Sequence, residues 1–499
     1  MLAGALALAV AMLAGGPAEV ARAQAQKPKK PNIVVIQTDD QARNSVIPEA
    51  MPHLYEKLIG GGTTFTDYVV TTPLCCPSRA TLLTGQYGHN NGVLRNAYTD
   101  LKQKQNVLPS WLQRSGYTTA HIGKFLNGYE QDVAGPAAVA PGWDKWFTQL
   151  EKRRYYNWKA SKNGRIVRFG SADGAHATTV FNRYSETWTK QLVRRDEPFY
   201  LQVDHFAPHA SGGRDSRCRR APVPEAVDEG RFGDAELPRP PSFDEADVSD
   251  KPASIQNRPR LTADDEEDLE RRYRCVLESI HGVDRGIGRI YRAVADAGEL
   301  KRTVFIFASD NGYFYGEHRI PKGKPMPYEE NLRVPLTMVV PRAYRNGAER
   351  IATSSVPTAN IDIAPTLLKL ARAKPCRSKR ICRTLDGRSL LSALNGSGEF
   401  PQQRAIGIEI GDCTYRGARY DGRVYFQYAN PSDQGCVADA REHYDLRNDP
   451  FQLENLVPAP PDSSDAQAED KLKRLTERLQ DCAGIRGRDP TPRSGHFCR

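Results

Sequence analysis

Short apolar runs of strand length alternate along the chain with longer amphipathic stretches. NIVVIQTDD (32–40) is an apolar run that ends in two acids, PFYLQVDHFAPH (198–209) ends in polar residues, and TVFIFASDNG (303–312) and VPLTMVV (334–340) are further buried-strand patterns. Between them, VLPSWLQRSGYTTAHIGKF (107–125) reads as helix, glycine stop and strand. Residues 263–298 form one long amphipathic pattern with an acidic start and a glycine stop, and NIDIAPTLLKLA (360–371) is another helix. Strands alternating with helices predict an α/β domain with a large, mostly parallel sheet flanked by helices.

After about residue 375 the pattern changes. AIGIEIGDCTYRGARYDGRVYFQY (405–428) alternates like antiparallel strands, and HYDLRNDPFQLENLV (443–457) is rich in turn residues. The expected organisation is a main domain over 30–375, a small antiparallel subdomain over 400–457, and a linker, helix (469–481) and basic tail over 458–499. Residues 211–262, rich in Pro, Arg and Asp, read as a long surface insertion.

The chain has 499 residues, enough for one large domain with a smaller one beside it. Its formal charge of +10 is spread along the sequence, which suits an anionic small-molecule or polysaccharide substrate. Nucleic-acid binding is not expected, because no zinc spacing, basic helix or aromatic platform accompanies the charge. Residues 1–25 read as a secretory signal: the apolar run from Leu2 to Ala14 is too short to span a bilayer and is followed by small-residue cleavage sites. A secreted or extracytoplasmic protein without stable membrane insertion is therefore expected. The ten cysteines agree with an oxidising compartment. Cys376 and Cys382 flank a short loop, Cys413 and Cys436 bracket a hairpin-like stretch, Cys482 and Cys498 close the tail, and Cys218 with Cys275 remains as a fourth pairing.

Candidate chemistry gathers at the C-terminal ends of the strands, where open α/β sheets place their sites. Asp39 and Asp40 close the first strand, and Asp310 and Asn311 close another; together they offer hard oxygen donors suited to Ca²⁺ or Mg²⁺, although each alone also reads as a turn or cap residue. Lys124 and Lys324 each follow a glycine in a polar loop. His209 reads as a general acid or anion donor, His205 as a loop or core histidine, and His318 as either substrate-reaching or a surface-loop residue. Cys75 opens the helix SRATLLTG beside free backbone N–H groups that stabilise an anion. A buried structural cysteine and a thiolate nucleophile are the other readings of that position.

Cys75-Cys76-Pro77-Ser78-Arg79, followed by Leu83-Thr84-Gly85, resembles the signature of the type I, formylglycine-dependent sulfatases. The likeness extends over roughly 30–457. QTDD and SDNG resemble that family's metal pairs, Gly123-Lys124 its first sulfate-binding lysine element, and Ala207-Pro208-His209 its active-site histidine. GKPMPYEENLRVP (323–335) resembles the element of the second sulfate-binding lysine, Lys324, and HYDLRNDPFQLENL the C-terminal signature. The resemblance implies an alkaline-phosphatase-like fold and a sulfuric ester hydrolase. It implies that Cys75 is oxidised to Cα-formylglycine by a formylglycine-generating enzyme, with Cys76 a packed thiol, and that the aldehyde hydrate acts as nucleophile. Ca²⁺, ahead of Mg²⁺, would be held by Asp39, Asp40, Asp310, Asn311 and the modified Cys75. Arg79, Lys124, His209 and Lys324 would complete the catalytic set, with Lys124, Asn127, His209, His318 and Lys324 contacting substrate.

Where many arylsulfatases carry a histidine two residues after the first lysine, which the resemblance places on the aldehyde hydrate, this chain has Leu126 and then Asn127, which is expected to substitute for it. GKFLNGY (123–129) and YYNWKASKNGRIVRFG (155–170) are instead similar to the N-acetylglucosamine-6-sulfatase branch. A sulfated sugar such as N-acetylglucosamine 6-sulfate, or else an aryl sulfate, is the substrate this implies. The alternatives are a phosphodiesterase or phosphonate hydrolase of the same superfamily, and a noncatalytic binder of sulfated glycans.

Overall fold

The computed structural model describes residues 28–482 except 133–134, 136, 151–153, 211–216, 379–380, 397, 412–413 and 433–434. The expected signal segment and the basic tail lie outside these residues. A ten-stranded sheet forms the centre. Its strands are β1 (Asn32–Thr38), β2 (Thr63–Phe65), β4 (Thr118–Lys124), β5 (Lys145–Gln149), β6 (Trp158–Lys162), β7 (Arg165–Phe169), β8 (Phe199–Asp204), β9 (Thr303–Ser309), β10 (Leu336–Val339) and β11 (Thr353–Ser354), and a short pair outside it joins β3 (Tyr68–Val69) to β12 (Thr358–Ala359). The spatial order is β11-β2-β10-β9-β1-β8-β4-β5-β6-β7.

The five middle strands, β9-β1-β8-β4-β5, are mutually parallel. Antiparallel pairing enters at both margins, where β10 runs against β9 and β6 against β5. The mostly parallel sheet read from the sequence is thus parallel at its centre and mixed overall. Every residue of β1 is buried, as a strand covered on both faces requires. Its alternate side chains enter opposite layers. Ile33 and Val35 pack with the helices α1 (Cys75–Thr84), α2 (Leu108–Arg114) and α5 (Ile363–Ala371), whereas Val34 and Ile36 pack with α3 (Ala177–Leu192) and α4 (Ala263–Asp296). The start of α4 is fixed by a reciprocal cap: Asp265 N donates to Thr262 Oγ1 at 3.2 Å, and Thr262 N donates to Asp265 Oδ2 at 3.0 Å.

The C-terminal subdomain is a four-stranded antiparallel sheet, β13 (Ile406–Ile410), β14 (Tyr415–Tyr420), β15 (Arg423–Ser432) and β16 (Gly435–Asp445). The last helix, α6 (Ser464–Asp481), begins five residues before the expected 469, because Ser463 caps it by accepting from Ala466 N at 3.1 Å. Leu472 and Leu479 bury its apolar side in the cluster that contains the antiparallel sheet. It is a structural element of the subdomain and not a detached tail.

The segment expected as a surface insertion is also more integrated than its composition suggests. Cys218 is bridged to Cys275 of α4, and Leu237, Val248 and Ile255 are buried. A few apolar residues spaced through a polar sequence anchor it, a spacing with no helix or strand period to betray it. The Cys376–Cys382 bridge is present as well. The other two expected pairings involve residues outside those described. Among the described residues no helix is long and apolar enough to cross a membrane.

Candidate active site

Adjacent strand ends and one buried helix converge at the C-terminal edge of the parallel strands. β1 delivers Asp39 and Asp40, and β9 delivers Asp310 and Asn311. Asp40 lies at φ 65°, a left-handed conformation that aspartate enters more readily than most residues. The two turns are laced together. Asp40 N donates to Asp310 Oδ1 at 3.1 Å, Asn311 Nδ2 to Asp40 Oδ1 at 2.8 Å, and Gln41 N to Ser309 Oγ at 3.0 Å.

Helix α1 carries Cys75 at its first position, after an extended Leu74, and all ten of its residues are buried. Each part of its signature has a local task. Pro77 sits in the first turn, where its missing N–H is not needed. Ser78 Oγ accepts from Asn360 Nδ2 at 3.0 Å. Gly85 ends the helix at φ 65°, where an added Cβ would stand 3.1 Å from the Leu385 side chain. Arg79, one turn beyond Cys75, shares its face of the helix. Its Nε donates to Asp310 Oδ2 at 2.8 Å and its Nη1 to the Lys124 carbonyl at 3.0 Å.

The glycine before Lys124 is dictated by contact. Gly123 has φ 111°, and a Cβ there would fall 1.9 Å from the Asp204 carbonyl oxygen of β8. Lys124 then reaches Asp39 Oδ2, and Lys324 reaches Asp40 Oδ1. Lys324 Nζ also donates to Cys75 Sγ at 2.7 Å, while Cys75 Sγ lies 3.3 Å from Asp39 Oδ1. His209 Nε2 stands 3.6 Å from Asp40 Oδ2, its Nδ1 lies 2.7 Å from the Ala210 carbonyl oxygen, and its side chain is about a third exposed.

The electrostatics follow from this crowding. Burial and the Asp39 carboxylate push the Cys75 thiol up to about 12. Burial and Asp39 also push Asp310 up to about 7, against the pull of Arg79. Burial opposes charge on Asp39, yet Lys124, His209, Arg79 and Lys324 hold it well below the usual carboxylate range. Burial lowers His209 despite the nearby Asp40 and Asp39.

Donor atoms from Asp39, Asp40, Cys75 and His209 all lie within 4.8 Å of one another, and Asn311 Oδ1 is buried with no hydrogen-bond partner. Hard oxygen donors on two laced turns, one of them unsatisfied, fit a divalent cation such as Ca²⁺ or Mg²⁺.

Nine of the residues singled out in the sequence thus meet in one place: Asp39, Asp40, Cys75, Arg79, Lys124, His209, Asp310, Asn311 and Lys324. Two others do not join them. Asn127 makes no described side-chain contact with Cys75, and its Oδ1 is buried without a partner. His318, expected to reach substrate or to sit on a surface loop, is buried at 0% exposure. Its Nδ1 lies 2.7 Å from Glu245 Oε2, its Nε2 lies 3.6 Å from Glu330 Oε2, and its ring stacks on Tyr328. Both ring nitrogens face acids, so it serves an internal ion-pair network. His205 is a core histidine, lowered to about 4 by burial.

The sequence reading passed over Asp204 and His121. Asp204 Oδ2 accepts from Gln202 Nε2 at 2.8 Å, lies 2.9 Å from His121 Nε2 and stands 3.6 Å from Arg79 Nη1. Arg79 therefore bridges Asp310 and Asp204. The available signal was a polar residue repeated at every second position, Gln202 and Asp204, within an otherwise apolar strand.

The family profile for sulfatases matches residues 31–373. The chain belongs to the sulfatase family. This sulfatase is 32% identical to an arylsulfatase of Chlamydomonas reinhardtii, over 96% of its own length and 79% of that protein. It is 27% identical to the N-acetylglucosamine-6-sulfatase of Homo sapiens, over 93% and 86% of the two chains. Among solved structures it resembles BT4656 in complex with its substrate D-glucosamine-2-N,6-O-disulfate, with a TM-score of 0.69, 23% identity and coverage of 91% and 98%. It also resembles the phosphonate monoester hydrolase of Agrobacterium radiobacter, with a TM-score of 0.67, 20% identity and coverage of 90% and 96%. The fold is the alkaline-phosphatase-like one, and the sulfatase is a sulfuric ester hydrolase.

Proposed function

We propose that this sulfatase removes sulfate from a sulfated sugar of the N-acetylglucosamine 6-sulfate type, using a formylglycine made from Cys75. The observation that supports this reading is the setting of Cys75 Sγ. It opens a buried helix, 3.3 Å from a metal-type carboxylate and 2.7 Å from a lysine ammonium. A formylglycine-generating enzyme would act on the chain during maturation, and an exported protein would suit that chemistry. The preference for a sugar rests on the glucosamine-6-sulfatase-like motifs and the 27% identity to such enzymes.

When present, a formylglycine supplies a hydrated aldehyde as nucleophile, and a Ca²⁺ held by Asp39, Asp40, Asp310, Asn311 and residue 75 supplies Lewis acidity. The chain's own residues do the rest. Lys324 and Lys124 stand ready to trade their carboxylate contacts for sulfate oxygens, where negative charge grows in the transition state. Arg79 fixes Asp310 from one side and is itself fixed by Asp204. His209, at the open side of the cluster, would give a proton to the departing sugar oxygen from Nε2 in its protonated form, since Nδ1–H is held by the Ala210 carbonyl.

The test is a rate comparison on N-acetylglucosamine 6-sulfate, an aryl sulfate and an aryl phosphate diester. Sulfate release from the sugar at the highest kcat/KM is expected. Faster cleavage of the phosphate diester would assign the site to phosphoryl chemistry, and binding of sulfated sugars without release would make it a noncatalytic binder.

A further inference from the structure

The far end of α1 borders a second feature that the sulfatase chemistry does not use. A cavity of about 870 Å³ is lined by Arg114, Arg372, Lys374, Arg377 and Arg383, together with Trp111, Pro375 and the Cys376–Cys382 bridge. No acidic side chain is among the described residues that line it. Arg383 is buried and spent on its own fold, donating to Gln86 Oε1 at 2.5 Å and to the Asn106 and Lys102 carbonyls. The other four cations are exposed, and none of the four forms an ion pair with a described acid. Arg114 donates to the Cys376 carbonyl at 3.0 Å and Arg372 to the Pro28 carbonyl at 2.7 Å, so neutral backbone oxygens hold these cations in place.

The cations also crowd one another. Partial desolvation and the charge of Arg377 lower Arg114, and partial desolvation and Arg372 lower the neighbouring Lys30. Like charges gathered around a cavity with no counter-charge among its described lining residues favour a bound polyanion. The bridge joins Cys376 to Cys382 across a six-residue separation, and Arg377 lies within the loop it closes, two residues after Pro375. The groove is distinct from the reacting centre. α1 carries Cys75 at its start, and its ten residues rise about 15 Å before Gly85, whose missing Cβ faces Leu385 of the groove wall.

We propose that this groove is a binding site for a linear sulfated polysaccharide, holding one stretch of a polymeric substrate while another enters the site at residue 75. The inference rests on the reading of that site as a sugar sulfatase. That reading supplies the choice of ligand, since the polymer presents the same sulfate groups to both places. A nucleic acid has comparable charge and is the competing occupant.

The experiment compares the full-length enzyme with Lys374→Ala/Arg377→Ala and with the charge-keeping Lys374→Arg/Arg377→Lys, using a heparin-type octasaccharide, its desulfated counterpart, a single-stranded DNA and a small aryl sulfate. The alanine variant should bind the octasaccharide at least roughly tenfold more weakly, and the slope of log affinity against log salt should shrink by roughly two. The charge-keeping variant should bind like wild type, and turnover of the aryl sulfate should be the same in all three. Undiminished octasaccharide binding in the alanine variant would overturn the groove while leaving the sulfatase reading intact. Equal binding of the desulfated sugar, or tighter and variant-sensitive binding of the DNA, would overturn the sulfated-glycan assignment. Absence of sulfate release from every substrate, with variant-sensitive octasaccharide binding retained, would instead refute the proposed reaction and uphold the groove.

Discussion

Lys324 Nζ donates to Cys75 Sγ at 2.7 Å, although 249 residues separate them along the chain. The same ammonium pairs with Asp40, and burial fails to neutralise it because Asp40 holds its pKa well above the ordinary lysine value. It is a fixed positive charge against the atom that would carry the nucleophile. Lys324→Met should therefore lower kcat for sulfate release by roughly a hundredfold to a thousandfold, the usual effect of removing one donor to a developing anion. Steady-state kinetics check this, and an unchanged kcat would remove Lys324 from the reaction.

Arg79 predicts a structural effect as well. It lies between Asp310 and Asp204, and all three side chains are buried. Arg79→Met leaves two buried carboxylates without their cation, which should cost about 3–5 kcal/mol in a chemical-denaturation measurement. Arg79→Lys should recover only part of this, since an ammonium lacks the planar fork that reaches Asp310, Asp204 and the Lys124 carbonyl together.

Gly123→Ala tests whether a backbone contact sets the position of Lys124. The new methyl would meet the Asp204 carbonyl oxygen at 1.9 Å, in a backbone conformation already unfavourable for alanine. A loss on the order of 3 kcal/mol is expected in the same denaturation assay, with a raised KM because Lys124 is displaced. A stable variant with wild-type KM would show that β4 can shift without cost.

These sites differ in how far the sequence announced them. Asp39, Asp40, Asp310 and Asn311 were legible because polar residues abruptly end apolar strands. The helix signature around Cys75 was legible because Pro77 and Gly85 punctuate it. His121 was not, because it lies within β4, where a polar residue is explained only by the neighbour that satisfies it across the sheet, and Asp204 was not, because its role is set by Arg79 and His121, which reach it from other elements. The antiparallel margins were hidden for a similar reason, since strand direction is set by pairing partners and not by local pattern. His318 was misplaced because its loop looks polar in sequence, whereas Glu245, from a distant segment, and Glu330 hold it in a buried setting.

His318 gives a pH dependence with a definite sign. Burial opposes its charge, but Glu245 and Glu330 raise it from 6.5 to about 9 in the folded chain. A histidine raised on folding stabilises fully below its unfolded value, and that contribution fades as pH rises through the folded one. Its share, on the order of 3 kcal/mol, should be present below about pH 6.5 and gone above about pH 9. Glu317 and Lys251 also belong to this network, so the quantity to measure is the stability difference between wild type and His318→Gln across pH. A difference that stays constant from pH 6 to pH 10 would contradict the ion-pair account.

The central claim is that Cys75 is the precursor of the nucleophile. Peptide mass spectrometry across residues 71–95, on active protein purified from its own host, tests it most directly. The account predicts an aldehyde in place of the thiol at position 75, with Cys76 unchanged. An unmodified Cys75 in protein that still releases sulfate would contradict it.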